Sequence, residues 1–376
     1  MSAVPLEVIR NLPDAPTTPN VQLNLNIRGL GQSATLAINE RSAMLQREGR
    51  NVYRMGLGQS PFPVPDGVVD ALRRNAHQKD YLPVRGLEAL RCAVADYHNR
   101  VNGVQRDADD ILIGPGSKEL MFILQLAFYG DLLVPSPSWV SYTPQAHIIG
   151  RRFHWIETRS ERGWRLQPEE LEAVCAEDPE RPRILILNYP SNPLGVSYND
   201  EELSALAEVA RRYRLVVLSD EIYGELHFQG AHESIARFYP EGTIISSGLS
   251  KWCGAGGWRL GTFAFPEELH WVMNTMAVVA SESFTTTSAP IQYAAVRAFE
   301  GSPEIDRYLQ LSRRVLRALG PALARRLRAA GCELPEPEGG FYLMPHLDRL
   351  RPRLATRGVH NARQLCERLL EDTGVA

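Results

Sequence analysis

The chain has 376 residues, 44% of them hydrophobic and 23% charged, with a formal net charge of −3 at pH 7. This is ordinary globular composition, and the charge balance gives no case for a nucleic-acid or membrane surface. The length favours two lobes over one simple domain. The five cysteines, Cys92, Cys175, Cys253, Cys332 and Cys366, are scattered and without CxxC spacing. They indicate neither a zinc site nor a disulfide framework, and a reducing, cytoplasmic setting fits.

Residues 1–32 read as an N-terminal arm, polar and proline-rich at its start, without the apolar core of a secretory signal. "SATLAINERSAMLQREG" (33–49) has apolar residues at helical spacing and ends on glycine, so it reads as a helix with its stop. Residues 33–55 are assigned to the first part of a smaller domain. From residue 56 to 302 helical stretches alternate with short apolar runs: "DILIG" (110–114), "DLLVP" (131–135), "RILILN" (183–188), "LVVLS" (215–219), "TIIS" (243–246) and "TFAF" (262–265). Runs apolar on both faces, alternating with helices, describe a mostly parallel sheet covered on both sides, hence an α/β large domain. A helix over 200–213 carries its own start signal, Asn199 with Glu202 three residues on. The longest apolar stretch, around "LMFILQLAFYG", is well short of a membrane span. Residues 303–376 open with an arginine-rich helix and continue through "EGGFYLMPHL", read as a glycine turn into a strand of a smaller α+β domain.

Four polar motifs follow four of the apolar runs: "GPGSKEL", "PSNPLG", "DEIY" and "SGLSK". Ligands of open parallel sheets bind beyond the carboxyl ends of the strands, so the four motifs are expected to share one site. Glycines opening a helix in "GPGSKEL" leave N–H groups free for a phosphate, although such glycines also make ordinary turns. Asp220 and Tyr223 lie three apart at a strand end; read alone, Asp220 and Glu221 are solvated charges or caps. No histidine or cysteine close by in sequence completes a transition-metal site. Asn192 belongs to a rigid turn and could equally hold a ligand oxygen. Cys253 reads as a small buried residue in a crowded loop.

The most telling residue is Lys251, in "LSKWCGAGGWRLG". Of 41 lysines and arginines only Lys79, Lys118 and Lys251 are lysines. An amine can lose a proton near neutral pH and attack a carbonyl, which a guanidinium does not do. With Ser250 beside it and Arg259 eight residues on, the loop suits an amine nucleophile next to an anion. A phosphate, a carboxylate for a ring nitrogen and an aldehyde for lysine together describe pyridoxal phosphate.

With these pieces in order, the sequence resembles the fold type I pyridoxal-phosphate enzymes, specifically class I aminotransferases of the bacterial aspartate/prephenate kind, from about residue 33 onward. The resemblance implies a large domain with a seven-stranded, mostly parallel sheet. It implies that Lys251 is the Schiff-base lysine and Asp220 the partner of the pyridine nitrogen. Tyr223 and Asn192 would bond the phenolic oxygen, and Trp139, otherwise a core tryptophan, would stack on the ring. Ser117, Lys118, Ser250 and Arg259 would form the phosphate pocket. Tyr81 would reach the phosphate of a neighbouring subunit, making a homodimer. Gly58 and Phe341 would meet the substrate, with Asn192. Thr35 and Lys118 would face a distal carboxylate, favouring acidic amino acids with a 2-oxo acid as acceptor. Leu194 stands in "NPLG" where the family often has threonine, and Gly248 where some members have a phosphate-binding serine.

Alternatives on the same residues are alanine or aromatic substrates, lyase or decarboxylase chemistry, and a non-enzymatic cofactor-binding role. The resemblance also implies further strands after "LLEDTGVA", one bearing an arginine for the substrate α-carboxylate. The sequence is accordingly expected to be a shortened form with an incomplete small domain. It would transaminate poorly unless another arginine, such as Arg28, substitutes, and would leave apolar surface near Phe341 and Leu343 exposed or covered by a neighbouring subunit.

Overall fold

The computed structural model describes residues 24–27, 34–56 and 58–376, with residues 34–37 described in backbone only. Thr35 as a side chain, and Arg28 altogether, lie outside the described residues. The first elements are α1 (Ala34–Arg47), α2 (Asp66–Asn75) and α3 (Glu88–Val101). The alternating part follows: β1 (Ile111–Gly114), α4 (Ser117–Ala127), β2 (Asp131–Ser136), α5 (Tyr142–Ile148), β3 (Phe153–Glu157), α6 (Pro168–Ala176), β4 (Arg183–Asn188), α7 (Asp200–Arg212), β5 (Val216–Asp220), β6 (Thr243–Gly248) and β7 (Gly261–Ala264). The chain continues with α8 (His270–Ser283), α9 (Ala289–Phe299), α10 (Pro303–Ala329), α11 (Arg351–Ala355) and α12 (Ala362–Thr373).

The seven strands form one sheet in the order β1-β7-β6-β5-β4-β2-β3. Only β7 runs antiparallel to its neighbours; the other pairs are parallel. Strand residues alternate between two apolar layers, as the pleat requires. Leu112, Val134, Ile186, Leu218 and Phe263 pack with Leu120 and Leu124 of α4 and Met273 of α8. Leu133, Leu185 and Val217 pack on Leu171 of α6 and on Leu203 and Leu206 of α7. On the same side, Ile113 and Ile245 meet α3, α9 and α10 through Val94, Phe299 and Ile305. Both faces are covered, which is why residues 184–187 of β4 and 216–218 of β5 are apolar without alternation.

The start of α7 is capped as its sequence indicates: Asn199 Oδ1 accepts from Glu202 N–H and Glu202 Oε2 from Asn199 N–H, each at 2.9 Å.

The sheet has the seven strands the resemblance implies, but one of them carries no signal in the sequence and one expected strand needs correction. β3 has no counterpart among the apolar runs, because this edge strand carries His154 and a half-exposed Trp155 (46%). Conversely, "EGGFYLMPHL" is not a strand. It makes only isolated bridges, His227 to Gly339 and Glu333 to His346. Its N–H groups go instead to turns of the main body, Glu338 N to Gly195 O at 2.7 Å and Gly340 N to Leu226 O at 2.9 Å. Phe341 and Leu343 are half-buried, each packed against a core cluster, and do not form exposed apolar surface.

No helix among the described residues is long and apolar enough to cross a membrane.

Candidate active site

The carboxyl ends of β1, β4, β5 and β6 open onto one cavity of about 460 Å³, within the range of about 300–1,000 Å³ usual for cofactor sites. It is lined by Gly58, Ser117, Lys118, Trp139, Asn192, Asp220, Tyr223, Ser250, Lys251 and Arg259 from the sequence reading. The four motifs therefore do converge. Tyr142, Ile222 and Gln59 join them without a signal in the sequence, as does Asn188, which reads there only as part of a turn.

One end of the cavity is built for an anion. Gly116 caps the start of α4 with φ +94°, a region that favours glycine, and a Cβ there would run into the Arg259 guanidinium. A Cβ on Gly261 would likewise meet the backbone of Ser117, so glycine at both positions lets β7 and Arg259 press against the helix start. Arg259, itself at φ +54°, donates from Nη1 to Gly256 O at 2.9 Å. Lys118 follows in the first turn of α4, its Nζ 4.9 Å from the Trp139 ring centre. Burial, then the nearby Arg259 charge, pull the Lys118 pKa below its ordinary value. Two cations and a helix N-terminus thus converge, and the only acid among the lining residues is Asp220. Like charges held together cost free energy that a bound dianion would offset.

Asp220 occupies the sheet end of the cavity and is only 3% exposed. Its Oδ2 accepts from the Tyr142 hydroxyl at 2.6 Å and its Oδ1 from Ser246 Oγ at 3.4 Å. Burial raises its pKa to about 6 against these donors, the Ile222 N–H and the Lys251 charge. The reading of Asp220 as a solvated charge or cap is corrected: the strand end that carries it lies between two covered faces. Lys251 Nζ donates to Gly58 O at 2.7 Å. Burial lowers its pKa to about 8; Asp220 opposes the shift, while Arg259 and Lys118 add to it.

Tyr223 donates to the Tyr342 hydroxyl at 3.1 Å and lies with its ring centre 5.5 Å from Lys251 Nζ. Burial raises the Tyr223 pKa, with Tyr342 and Asp220 adding to the rise and the nearby Asn192 side chain opposing it. Asn188 ties the strand ends together, donating to Asp220 O at 2.8 Å and accepting from Asn192 N–H at 2.7 Å. Phe341 is not a lining residue but packs edge-on against Tyr223, ring centres 5.5 Å apart. Its neighbour Tyr342, which the sequence reading passed over, sits where a Cβ on Gly58 would be. Tyr81 is 87% exposed and lies outside the cavity of its own chain.

Among the described residues no cluster of His, Cys, Asp or Glu could hold a metal ion. A nucleophilic amine, a buried carboxylate lacking a cationic hydrogen-bond partner and an anion cradle share one cavity. This donor set fits pyridoxal phosphate at its aldehyde, ring nitrogen and phosphate. The site thus defines the class, an α/β protein that works through a phosphorylated aldehyde cofactor.

Comparison with known proteins agrees. The family described as "Aminotransferase class I and II" matches residues 50–376. The chain is 30% identical to the aspartate aminotransferase of Bacillus subtilis, over 95% of this chain and 90% of that one. It is 31% identical to the aspartate/prephenate aminotransferase of Thermus thermophilus, over 94% and 89%. Among solved structures, the aspartate aminotransferase from Thermus thermophilus with maleate superposes with a TM-score of 0.85 at 30% identity, covering 95% of this chain and 91% of that one. The chain belongs to the class I and II aminotransferases. It is a pyridoxal-phosphate-dependent transaminase of the aspartate aminotransferase type.

Proposed function

We propose that this transaminase moves the amino group of acidic L-amino acids to a 2-oxo acid such as 2-oxoglutarate in a ping-pong cycle, with Lys251 as the central residue. The observation that carries this reading is the meeting of Lys251, Asp220 and Arg259 around one cavity. Pyridoxal phosphate, when bound, supplies an aldehyde for an amine and an electron sink for the substrate α-carbon.

The chain's own groups do the rest. Lys251 Nζ would hold the aldehyde carbon and, as a free amine, would move the substrate α-proton as base and then acid. Its lowered pKa keeps more of the amine neutral near pH 8 than an exposed lysine would allow. Asp220 keeps a proton on the ring nitrogen. Tyr223 and Asn192 would orient the ring oxygen, and Trp139 would stack on the ring. The Ser117 and Lys118 amides, Ser250 and Arg259 hold the phosphate. Gly58 and Asn192 would meet the substrate, and Phe341, behind Tyr223, would back that side of the site.

Acidic substrates are favoured by Lys118, one of two lysines lining the cavity and the one not assigned to the aldehyde, with Arg259 beside it. Thr35 is proposed to join it. The Thermus thermophilus relative, solved with the dicarboxylate maleate, points the same way. Residues 56–302 are proposed as the large domain, and 33–55 with 303–376 as the smaller one. The pairing of Tyr53 with Val375 and of Arg41 with Glu371 supports joining those two segments. A homodimer in which Tyr81 completes the neighbouring site accounts for that residue's exposure. The five free cysteines are in keeping with a reducing cytoplasm.

The test is the amino-donor half-reaction, followed by pyridoxamine phosphate formation with aspartate, glutamate, alanine, phenylalanine and leucine. Acidic donors should react fastest. Lys118→Ala should erode that preference more than it erodes cofactor affinity. Equal rates for aspartate, glutamate and leucine in the wild type would contradict the substrate assignment.

A further inference from the structure

Asp220 is followed by a second carboxylate, Glu221, that none of the proposed catalytic roles uses. The two stand on opposite faces of the sheet end. Val216 and Leu218 pack in the α4–α8 layer, and Asp220, at the same parity, meets Tyr142 of α5 there. Val217 packs on the α6–α7 layer, and Ser219 meets Tyr189 on that side. Glu221 turns to this second side and is 5% exposed. Its carboxylate accepts from His232 Nε2 at 2.9 Å, Ser234 Oγ at 2.5 Å, Ser219 Oγ at 2.8 Å and Asn102 Nδ2 at 2.7 Å.

The proton positions follow from the partners. Ser219 Oγ gives its one proton to Glu221, so the Tyr189 hydroxyl, which accepts from Ile235 N–H at 2.8 Å, donates to Ser219 Oγ at 3.0 Å. His232 Nδ1 is buried with no partner. The ring presents its Nε2–H to Glu221. Four donors saturate a carboxylate, which has about four lone-pair sites. Glu221 is therefore an anion held by His232, two hydroxyls and an amide. No lysine or arginine among the described residues pairs with it. Burial works against its charge, yet the contact with His232 and the hydroxyls of Ser234 and Ser219 outweigh burial and hold its pKa below the ordinary value. Its N–H donates to Ser246 O at 2.9 Å, so the clamp on its side chain also fixes the strand end from which Asp220 projects.

We propose that Glu221 is a positioning residue for the cofactor: a buried, permanent anion, one peptide from Asp220, that fixes the end of β5 and strengthens the hold of the Asp220–pyridine pair on its proton. The inference rests on the reading of Asp220 given above. Glu221 acts through Asp220 and touches neither cofactor nor substrate.

The test is a double-mutant cycle on cofactor release from the holoenzyme, with inorganic phosphate as competitor for a second readout. Glu221→Gln should weaken cofactor binding on the order of tenfold, the equivalent of one pKa unit of proton affinity. In the Asp220→Asn background the same change should weaken it no further, and phosphate competition should be unaltered in every variant. Equal loss in both backgrounds, or no loss in either, would overturn the inference. Unchanged affinity in Asp220→Asn beside a weakened Glu221→Gln would contradict the reading of Asp220, and this inference with it. Should Glu221→Gln fail to fold, Ser234→Ala keeps the carboxylate, removes one donor and carries the same cycle with a smaller effect.

Discussion

At Asp220 the requirements of the reaction and of the fold pull apart. Without a cationic partner its carboxylate is buried at a cost, expressed in a pKa raised to about 6 from 3.8. A raised folded-state pKa means that the penalty is fully present above about pH 6 and absent below the unfolded value. Asp220→Asn should therefore make the cofactor-free protein more stable at pH 7, by on the order of 2–3 kcal/mol. The gain should shrink as pH falls through 6 and vanish near 4. Thermal denaturation of the two cofactor-free proteins across that range checks the sign; a less stable variant at pH 7 would contradict it. In the holoenzyme the same substitution should slow the donor half-reaction by on the order of 10²-fold or more, because an amide cannot hold the ring nitrogen protonated.

At the scale of elements, the anion cradle depends on how close β7 and α4 can come. Gly116→Ala would place a methyl group against Arg259 at a φ that L residues rarely adopt. It should weaken binding of both the cofactor and inorganic phosphate by tenfold or so, about 1.4 kcal/mol of lost anion binding. Equilibrium dialysis measures both, and undiminished phosphate binding would remove the helix start from the pocket. The same elements show what the sequence made legible. Six of the seven strands announced themselves as runs apolar on both faces, and the α7 cap as Asn199 with Glu202. β3 stayed hidden because one face of an edge strand is wet. The motifs after the strands were legible because their residue types are costly anywhere but in a site. Tyr142 and Asn188 were not, since a tyrosine in a helix and an asparagine ending a strand carry no signal until the fold brings them to Asp220. Glu221 looked like surface charge because its donors, Asn102 and the 232–234 loop, are distant in sequence.

For the whole molecule the telling residue is Tyr81, far more exposed than a residue with a role in its own subunit's site should be. If it completes a partner's phosphate pocket, Tyr81→Phe should weaken cofactor binding severalfold without changing the sedimentation of a dimer. Mixing that variant with Lys251→Ala should then restore activity, because a mixed dimer has one site with both defects and one with neither. An active monomer in the ultracentrifuge, or no recovery on mixing, would contradict the shared site.

The central claim is that one amine, Lys251 Nζ, carries the cofactor. The sharpest measurement is borohydride reduction of the holoenzyme followed by peptide mapping of the fixed pyridoxyl group. The chain has three lysines, so the answer is nearly unambiguous. The pyridoxyl group should appear on the peptide containing Lys251 alone, and Lys251→Ala should leave no reducible adduct. Finding it on Lys118 or Lys79 would contradict the account.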